Sequence, residues 1–158
     1  MEFISAIPAN AYGIGDSFDL NHSHVIPALI RRFHEAKEQG RASVTIWGTG
    51  MALREFINTD DMADAGIFLL NHYLSNQPIN IGTGEEISML ELAEVIKKIT
   101  GFEGEVLTDP SKPDGMYRRL CESTRIHELG WNPQKALQAG LTELYEWYLN
   151  NKKLKGWI

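Results

Sequence analysis

The chain has 158 residues, of which 43% are hydrophobic and 23% charged, a composition typical of a globular domain that buries about 70% of its unfolded surface. Fifteen Lys and Arg against 21 Asp and Glu give a net charge of −6, which disfavours nucleic acids and anionic membranes as partners. A single cysteine excludes an internal disulfide, and without an apolar run of membrane-spanning length or a basic leader we expect a cytoplasmic protein.

Strands are predicted to alternate with helices along the whole chain, which indicates the α/β class. The apolar run at 3–7, stopped by Pro8, is typical of a buried parallel strand, and such a strand needs neighbours on both edges. Ser23 is predicted to cap a helix that ends at Gly40. The later predicted elements are strands at 44–47, 53–57, 78–81 and 105–108, helices at 60–74 and 88–101, a loop at 109–117, and two helices near 123–130 and 134–150.

Glycine pairs begin the dinucleotide-binding fingerprint at 13–15, 48–50 and 82–84, but each lacks the third glycine at the required spacing. We interpret them as turns, because glycine readily adopts a positive φ. The five histidines show no metal-ligand spacing, so no metal site is predicted.

His24 directly follows the predicted helix cap. The positive end of a helix dipole favours an uncharged imidazole there, able to exchange protons, although a solvated or capping histidine is the alternative. Trp47, beside a glycine turn, either stacks on a base or packs at the edge of the core. Five cations could form a diphosphate site if the fold brings them together, and are otherwise separate surface charges: Arg32, Arg54, Lys112, Arg118 and Arg119.

Five stretches carry a resemblance to a known family: residues 3–13, 21–34, 47–50 with 53–56, 80–84 and 111–115. Together, and in this order, they resemble GDP-L-fucose synthases among the extended short-chain dehydrogenase/reductases, and the similarity extends from residue 3 to about 151. The Ser-His-Val-Ile-Pro stretch at 23–27 and the Ser-Lys-Pro-Asp-Gly stretch at 111–115 are specific within that superfamily. The Gly-Thr-Gly turns are shared across it and discriminate little.

The resemblance implies an enzyme that epimerises GDP-4-keto-6-deoxy-D-mannose at C3 and C5 and reduces it with NADPH to GDP-L-fucose. It assigns His24 as a catalytic acid. It assigns the GDP-sugar contacts to Arg32, Trp47, Arg54 and Asp114. The segment that lies against the nicotinamide end of NADP is matched by Pro8, Ala9, Asn10 and Ala11.

The family's glycine-rich dinucleotide-binding half, its catalytic Ser and Cys, and its Tyr-x-x-x-Lys pair have no match in this sequence, and Cys121 does not occupy the family's cysteine position. We therefore expect one domain over 1–158, a C-terminal substrate-binding domain with leftover strands and helix of an incomplete Rossmann sheet. The N-terminal dinucleotide-binding domain is expected to be absent. Alone, such a chain is expected to be inactive, to hold NADP weakly, and to form a homo-oligomer through the strand at 3–7 and the helix at 60–74. The alternative is a non-catalytic GDP-sugar-binding module, or one half of a split nucleotide-sugar epimerase/reductase.

Overall fold

The computed structural model describes residues 3–152, in which short strands and longer helices alternate as the α/β class requires. The strands are β1 (Ala6–Pro8), β2 (Asn10–Tyr12), β3 (Ser43–Trp47), β4 (Leu53–Arg54), β5 (Phe56–Asn58), β6 (Ile79–Ile81), β7 (Ile87–Ser88), β8 (Glu105–Asp109) and β9 (Arg118–Arg119). The helices are α1 (Val25–Glu38), α2 (Thr59–His72), α3 (Met89–Thr100), α4 (Thr124–Glu128) and α5 (Leu137–Asn151). Within this range no helix has the length and hydropathy needed to span a bilayer.

The strands form four small sheets. β1 pairs with β6, β2 with β5 and β3 with β8, all in parallel. β4 lies between β7, to which it is antiparallel, and β9, to which it is parallel. Parallel pairs need long crossover connections, and here the helices supply most of them.

The larger hydrophobic core lies between α1, α3 and α5. Apolar residues at helical spacing put Ile30 and Phe33 of α1 in full burial, together with Leu92 and Ile96 of α3 and Leu144 of α5. A capping box of Ser88 and Glu91 starts α3, as predicted from the sequence, and left-handed Gly101 ends it.

A second core joins α2 and α4 to β5 and β6. Ile57, Leu69, Ile79 and Ile126 are buried in it. Neighbouring residues of a strand face opposite sides of a sheet, so Phe56 of β5 packs in the first core while Ile57 packs in the second. The β2–β5 pair therefore separates the two cores.

Three predicted boundaries are wrong. The strand at 3–7 begins only at Ala6 and includes Pro8. Ser5 and Ala9 hydrogen-bond to β6, whereas the nitrogen of Pro8 faces away from β6, so its missing N–H is tolerated. All three β1 residues are exposed, since within residues 3–152 only β6 pairs with this strand. The strand at 53–57 breaks at Glu55 into β4 and β5, which belong to different sheets.

The cap of α1 is the third difference. It is His24, one residue later than predicted, and its side chain makes no capping hydrogen bond. The sequence also leaves out β2, β7 and β9, because strands of two or three residues are too short to show a period.

A buried histidine links α1 to the end of α5. The Nδ1 of His34 lies 3.0 Å from the Tyr145 hydroxyl, and its Nε2 lies 2.5 Å from the ammonium of Lys152 and 3.2 Å from a Glu38 oxygen. Burial, followed by the Lys152 charge, lowers the pKa of His34 below its ordinary value.

This lowered pKa predicts a stability change in mildly acidic solution. Because the unfolded chain takes up the proton at higher pH than the folded chain, the stabilisation is complete above about pH 6.5 and declines as the pH falls toward the folded-state pKa. The free energy of unfolding of the wild type, measured with denaturant, should therefore fall between about pH 6.5 and pH 5, and that of His34→Gln should fall less. Equal pH slopes in the two proteins would contradict this assignment.

Candidate functional site

A cavity of about 440 Å³ lies where β2, the start of α1 and the ends of β3 and β4 meet. Its walls come from segments far apart in the sequence. The lining residues are Asn10, Ala11, Tyr12, His24, Val25, Ile26, Pro27, Trp47, Ala52, Arg54, Phe56, Met89, Pro113 and Asp114. The cavity is concave, mostly apolar and lined by a few polar groups, as small-molecule sites are.

His24 lies at the N-terminus of α1 and lines this cavity. It is exposed and its ring makes no hydrogen bond to the described part of the chain. The imidazole is therefore available to a ligand, and Pro27, one turn later, takes a place where a missing N–H costs nothing.

Arg54 and Asp114 also line the cavity and contact each other. The Arg54 guanidinium donates to the Leu53 carbonyl oxygen at 2.8 Å and to the Asp114 carbonyl oxygen at 3.4 Å. The Asp114 carboxylate accepts from the Thr49 N–H at 2.7 Å and from the Thr49 hydroxyl at 2.8 Å. Asp114 thus ties the loop at 110–117 to the turn at 48–50, while the half-buried Arg54 keeps unused donors.

The indole ring of Trp47 is exposed at the edge of the cavity. Its side chain is 64% exposed, and the Lys112 ammonium lies 5.9 Å from the ring centroid. An exposed indole with a cation over it can stack on a planar ligand once the flexible lysine moves aside. Of the two interpretations of Trp47 from the sequence, burial at the core edge is therefore wrong.

A substitution in the turn at 48–50 would test how this turn holds the loop at 110–117. Gly48 has φ +76°, and a Cβ there would overlap the Asp114 carboxylate. Gly48→Ala is expected to lower the free energy of unfolding by about 1–3 kcal/mol and to speed amide exchange at Thr49, which loses its acceptor.

Gly66→Ala is the matched control for this substitution. Apart from its chain neighbours and the backbone of its own helix, no atom lies within 4 Å of the position its Cβ would take in α2, so the same change should stabilise the protein by about 0.5–1 kcal/mol. Unchanged exchange at Thr49 in Gly48→Ala would show that the loop is held by other contacts.

A smaller cavity of about 120 Å³ adjoins the first and shares Asn10 with it. Pro8 and Ala9 line the smaller cavity, as do Arg119 and Cys121, whereas Ala11 lines the larger one. The segment 8–11 therefore runs along both. Burial, followed by the Glu55 and Glu122 charges, raises the pKa of the Cys121 thiol.

The five cations do not all line one cavity. Arg32 lies eight residues beyond His24 on α1, about 12 Å along the helix axis, and it does not line the cavity. Arg118 is paired with Glu86 through two of its nitrogens. Only Arg54 of the five lines the larger cavity, and Arg119 the smaller. In residues 3–152, no His, Cys, Asp and Glu side chains are grouped so that three could hold a metal.

Sequence analysis missed Tyr12, Phe56 and Glu55. Tyr12 is buried in the cavity wall, donates to the Leu137 carbonyl oxygen at 3.3 Å, and has a pKa raised to about 12 by burial. From the sequence, Phe56 is typical of a core residue. Glu55 carries the signal that could have been noticed, because a carboxylate directly precedes the apolar Phe56 and Ile57 within a predicted strand.

The sequence of this chain matches a known protein family. Residues 1–82 match the NAD dependent epimerase/dehydratase family. The chain belongs to this family. Nearly the whole chain, including the part after residue 82, is similar to longer proteins.

Two relatives and one solved structure illustrate the similarity. The chain is 52% identical to a probable GDP-L-fucose synthase 1 of Oryza sativa, covering 94% of this chain and 45% of that protein. It is 46% identical to a GDP-L-fucose synthase of Escherichia coli, covering 96% and 50%. A GDP-L-fucose synthetase of Naegleria fowleri bound to NADP superposes with a TM-score of 0.89 at 29% identity, covering 96% and 48%. The chain spans about half the length of the relatives it matches.

Proposed function

We propose that this chain is the C-terminal, GDP-sugar-binding portion of a GDP-L-fucose synthase, an NADP-dependent epimerase and reductase of GDP-4-keto-6-deoxy-D-mannose. The observation that carries the proposal is that one cavity collects His24, Trp47, Arg54 and Asp114 from four separate segments. These are four of the five residues that the family resemblance assigns to the sugar nucleotide. The 46–52% identity to two synthases supports the same substrate class.

Each side chain has a role that its position suits. The Arg54 guanidinium presents paired donors, which match the oxygens of a diphosphate. The exposed Trp47 ring offers a face for the guanine or ribose. His24 faces the same cavity, so its imidazole can return a proton to a sugar carbon next to the ketone, where an enolate forms after deprotonation. Arg32 remains a predicted contact that the cavity itself does not include.

The residues at the smaller cavity fit only the nicotinamide end of NADP. Asn10 offers an amide to a carboxamide, and a space of about 120 Å³ suits one ring of a dinucleotide, not the whole cofactor. The sequence offers no glycine-rich cradle for the pyrophosphate. When bound, the nicotinamide supplies hydride to the C4 ketone. In this chain, Asn10 orients that ring together with Pro8 and Ala9.

Calorimetric titration with GDP, GDP-mannose and UDP-glucose tests the proposal. Both guanine ligands are expected to bind at least about tenfold more tightly than UDP-glucose, a difference of about 1.4 kcal/mol. Equal affinity for UDP-glucose would remove the assignment to GDP sugars, and no binding of any ligand would overturn the site. GDP-L-fucose formed from GDP-4-keto-6-deoxymannose and NADPH by the 158-residue polypeptide alone would show that it needs no further half, contrary to the proposal.

The open edge of β1 and the apolar side of α2 support a dinucleotide-binding half as the natural covering of this surface. Ile7 on β1 is exposed, as are Ile67 and Leu70 on α2, the last at 75%. Exposed strand edges and apolar patches of this kind drive association.

Self-association is the expected consequence for the isolated polypeptide. Light scattering should report a dimer or larger species, and Leu70→Lys should shift it toward the monomer because a charge would be buried in the contact. A monodisperse wild-type monomer would contradict this expectation.

A further inference from the structure

Glu55, between β4 and β5, is a fully buried carboxylate. One oxygen accepts from the Thr83 N–H at 2.6 Å and from the Gly84 N–H at 2.9 Å. The other accepts from the Cys121 N–H at 2.7 Å. None of the ion pairs among residues 3–152 includes Glu55, so three backbone N–H groups, with the Thr83 hydroxyl at 3.4 Å, compensate its burial.

Glu55 contacts residues that line the two cavities, and Asn10 forms the wall that these cavities share. Its own carbonyl oxygen accepts from the Asn10 side-chain amide at 2.8 Å, and Asn10 lines both cavities. Arg54, the preceding residue, lines the larger cavity, and Cys121 lines the smaller. Glu55 therefore connects Asn10, which lines both cavities, to one further lining residue of each cavity.

The close approach of the turn at 82–84 requires a glycine. A Cβ on Gly82 would overlap the Glu55 carboxylate. With no side chain at 82, the backbone N–H groups of the two following residues can converge on one oxygen, which is how backbone nests hold anions.

We propose that Glu55 is a positioning residue, which fixes Asn10, Arg54 and Cys121 relative to one another so that the two cavities keep their shared wall. It reaches no ligand itself. The ligand-binding part of this inference rests on the proposed function, whereas the effect on Cys121 does not.

Glu55→Gln is the test variant, and Asp61→Asn is its matched control. The amide in Glu55→Gln must turn an NH₂ group toward either Thr83 or Cys121, so one buried donor loses its acceptor. Asp61 on α2 is also buried, and its two oxygens accept from the N–H groups of Gln134 and Lys135 at 3.1 and 3.0 Å. The same chemistry is therefore lost at a place that lines neither cavity.

Cys121 is the chain's only cysteine, so its modification by an aromatic disulfide reagent reports on the wall directly. The rate is extrapolated to full ionisation of the thiol, because removing the Glu55 charge also lowers the pKa of Cys121. Glu55→Gln is expected to react about tenfold faster or more and to bind GDP about tenfold more weakly or worse, while Asp61→Asn stays within about twofold of the wild type in both.

Equal changes in the two variants would overturn the positioning role, since loss of stability alone would then explain them. If the wild type fails to bind GDP, the proposed function falls, and the thiol rates still decide the role of Glu55. If Glu55→Gln does not fold, amide exchange in the unaltered chain decides it. The amides of Thr83, Gly84 and Cys121 should then be slow and exchange together, and a Cys121 amide that exchanges at the rate of an exposed loop would overturn the proposal.

Discussion

Arg54→Ala is expected to weaken GDP binding about 10- to 100-fold. The Arg54 side chain lines the cavity and is tethered to the Leu53 and Asp114 carbonyl oxygens, so little of its freedom remains to be lost on binding. A hydrogen bond to a charged group contributes about 1.5–3 kcal/mol, which gives this range when converted to affinity. Isothermal calorimetry at fixed salt measures it.

Arg41→Ala is the matched control for Arg54→Ala. Arg41 is exposed and lines neither of the two cavities, so the control removes the same charge and should leave the affinity within about twofold. Arg32→Ala distinguishes the sequence prediction from the cavity geometry. A loss equal to that of Arg54→Ala would mean that the ligand extends along α1 beyond the cavity. Unchanged binding in Arg54→Ala would refute a diphosphate at this position.

Phe33→Ala is expected to cause the largest loss of stability, about 3–5 kcal/mol. Phe33 has no exposed surface, and its ring centroid lies 5.6 Å from that of Phe102 in a tilted pair. Removing the ring leaves a cavity between α1 and α3, and a chain of this size should lose roughly 10 °C or more in thermal midpoint. Denaturant and thermal unfolding measure the two quantities.

Phe3→Ala removes the same side chain at a site that is 75% exposed and should change the free energy of unfolding by less than about 0.5 kcal/mol. Because α1 carries His24 at its start, Phe33→Ala should also weaken ligand binding at temperatures where the variant begins to unfold. A loss below about 1 kcal/mol would mean that α1 and α3 repack closely around the missing ring.

The long helices could be predicted from the sequence because their signals are local. The capping box at Ser88 and Glu91 and the glycine after Thr100 predict α3 correctly, and apolar spacing predicts the buried side of α1. The short strands β2, β7 and β9 could not be predicted, since two or three residues acquire an extended conformation from the partner they pair with.

The candidate site could be predicted in part. The position of His24 at a helix start follows from the adjacent residues, whereas the predicted cofactor segment 8–11 divides between two cavities. Arg32 and Arg54 have the same charge in the sequence. Only the fold separates them, because Arg54 follows a strand that ends at the cavity while Arg32 is carried along α1 away from it.

By itself, the sequence determined the α/β class, the main helices, the glycine turns and the family to which the chain is similar. Each of these depends on patterns repeated within a few residues or on a run of matching residues. The tertiary structure alone decided which charges share a cavity, why the strand at 53–57 breaks, and what a buried Glu55 holds. Those contacts join residues 28, 45 and 66 positions apart, and such pairs meet only when burial of the two cores brings their segments together.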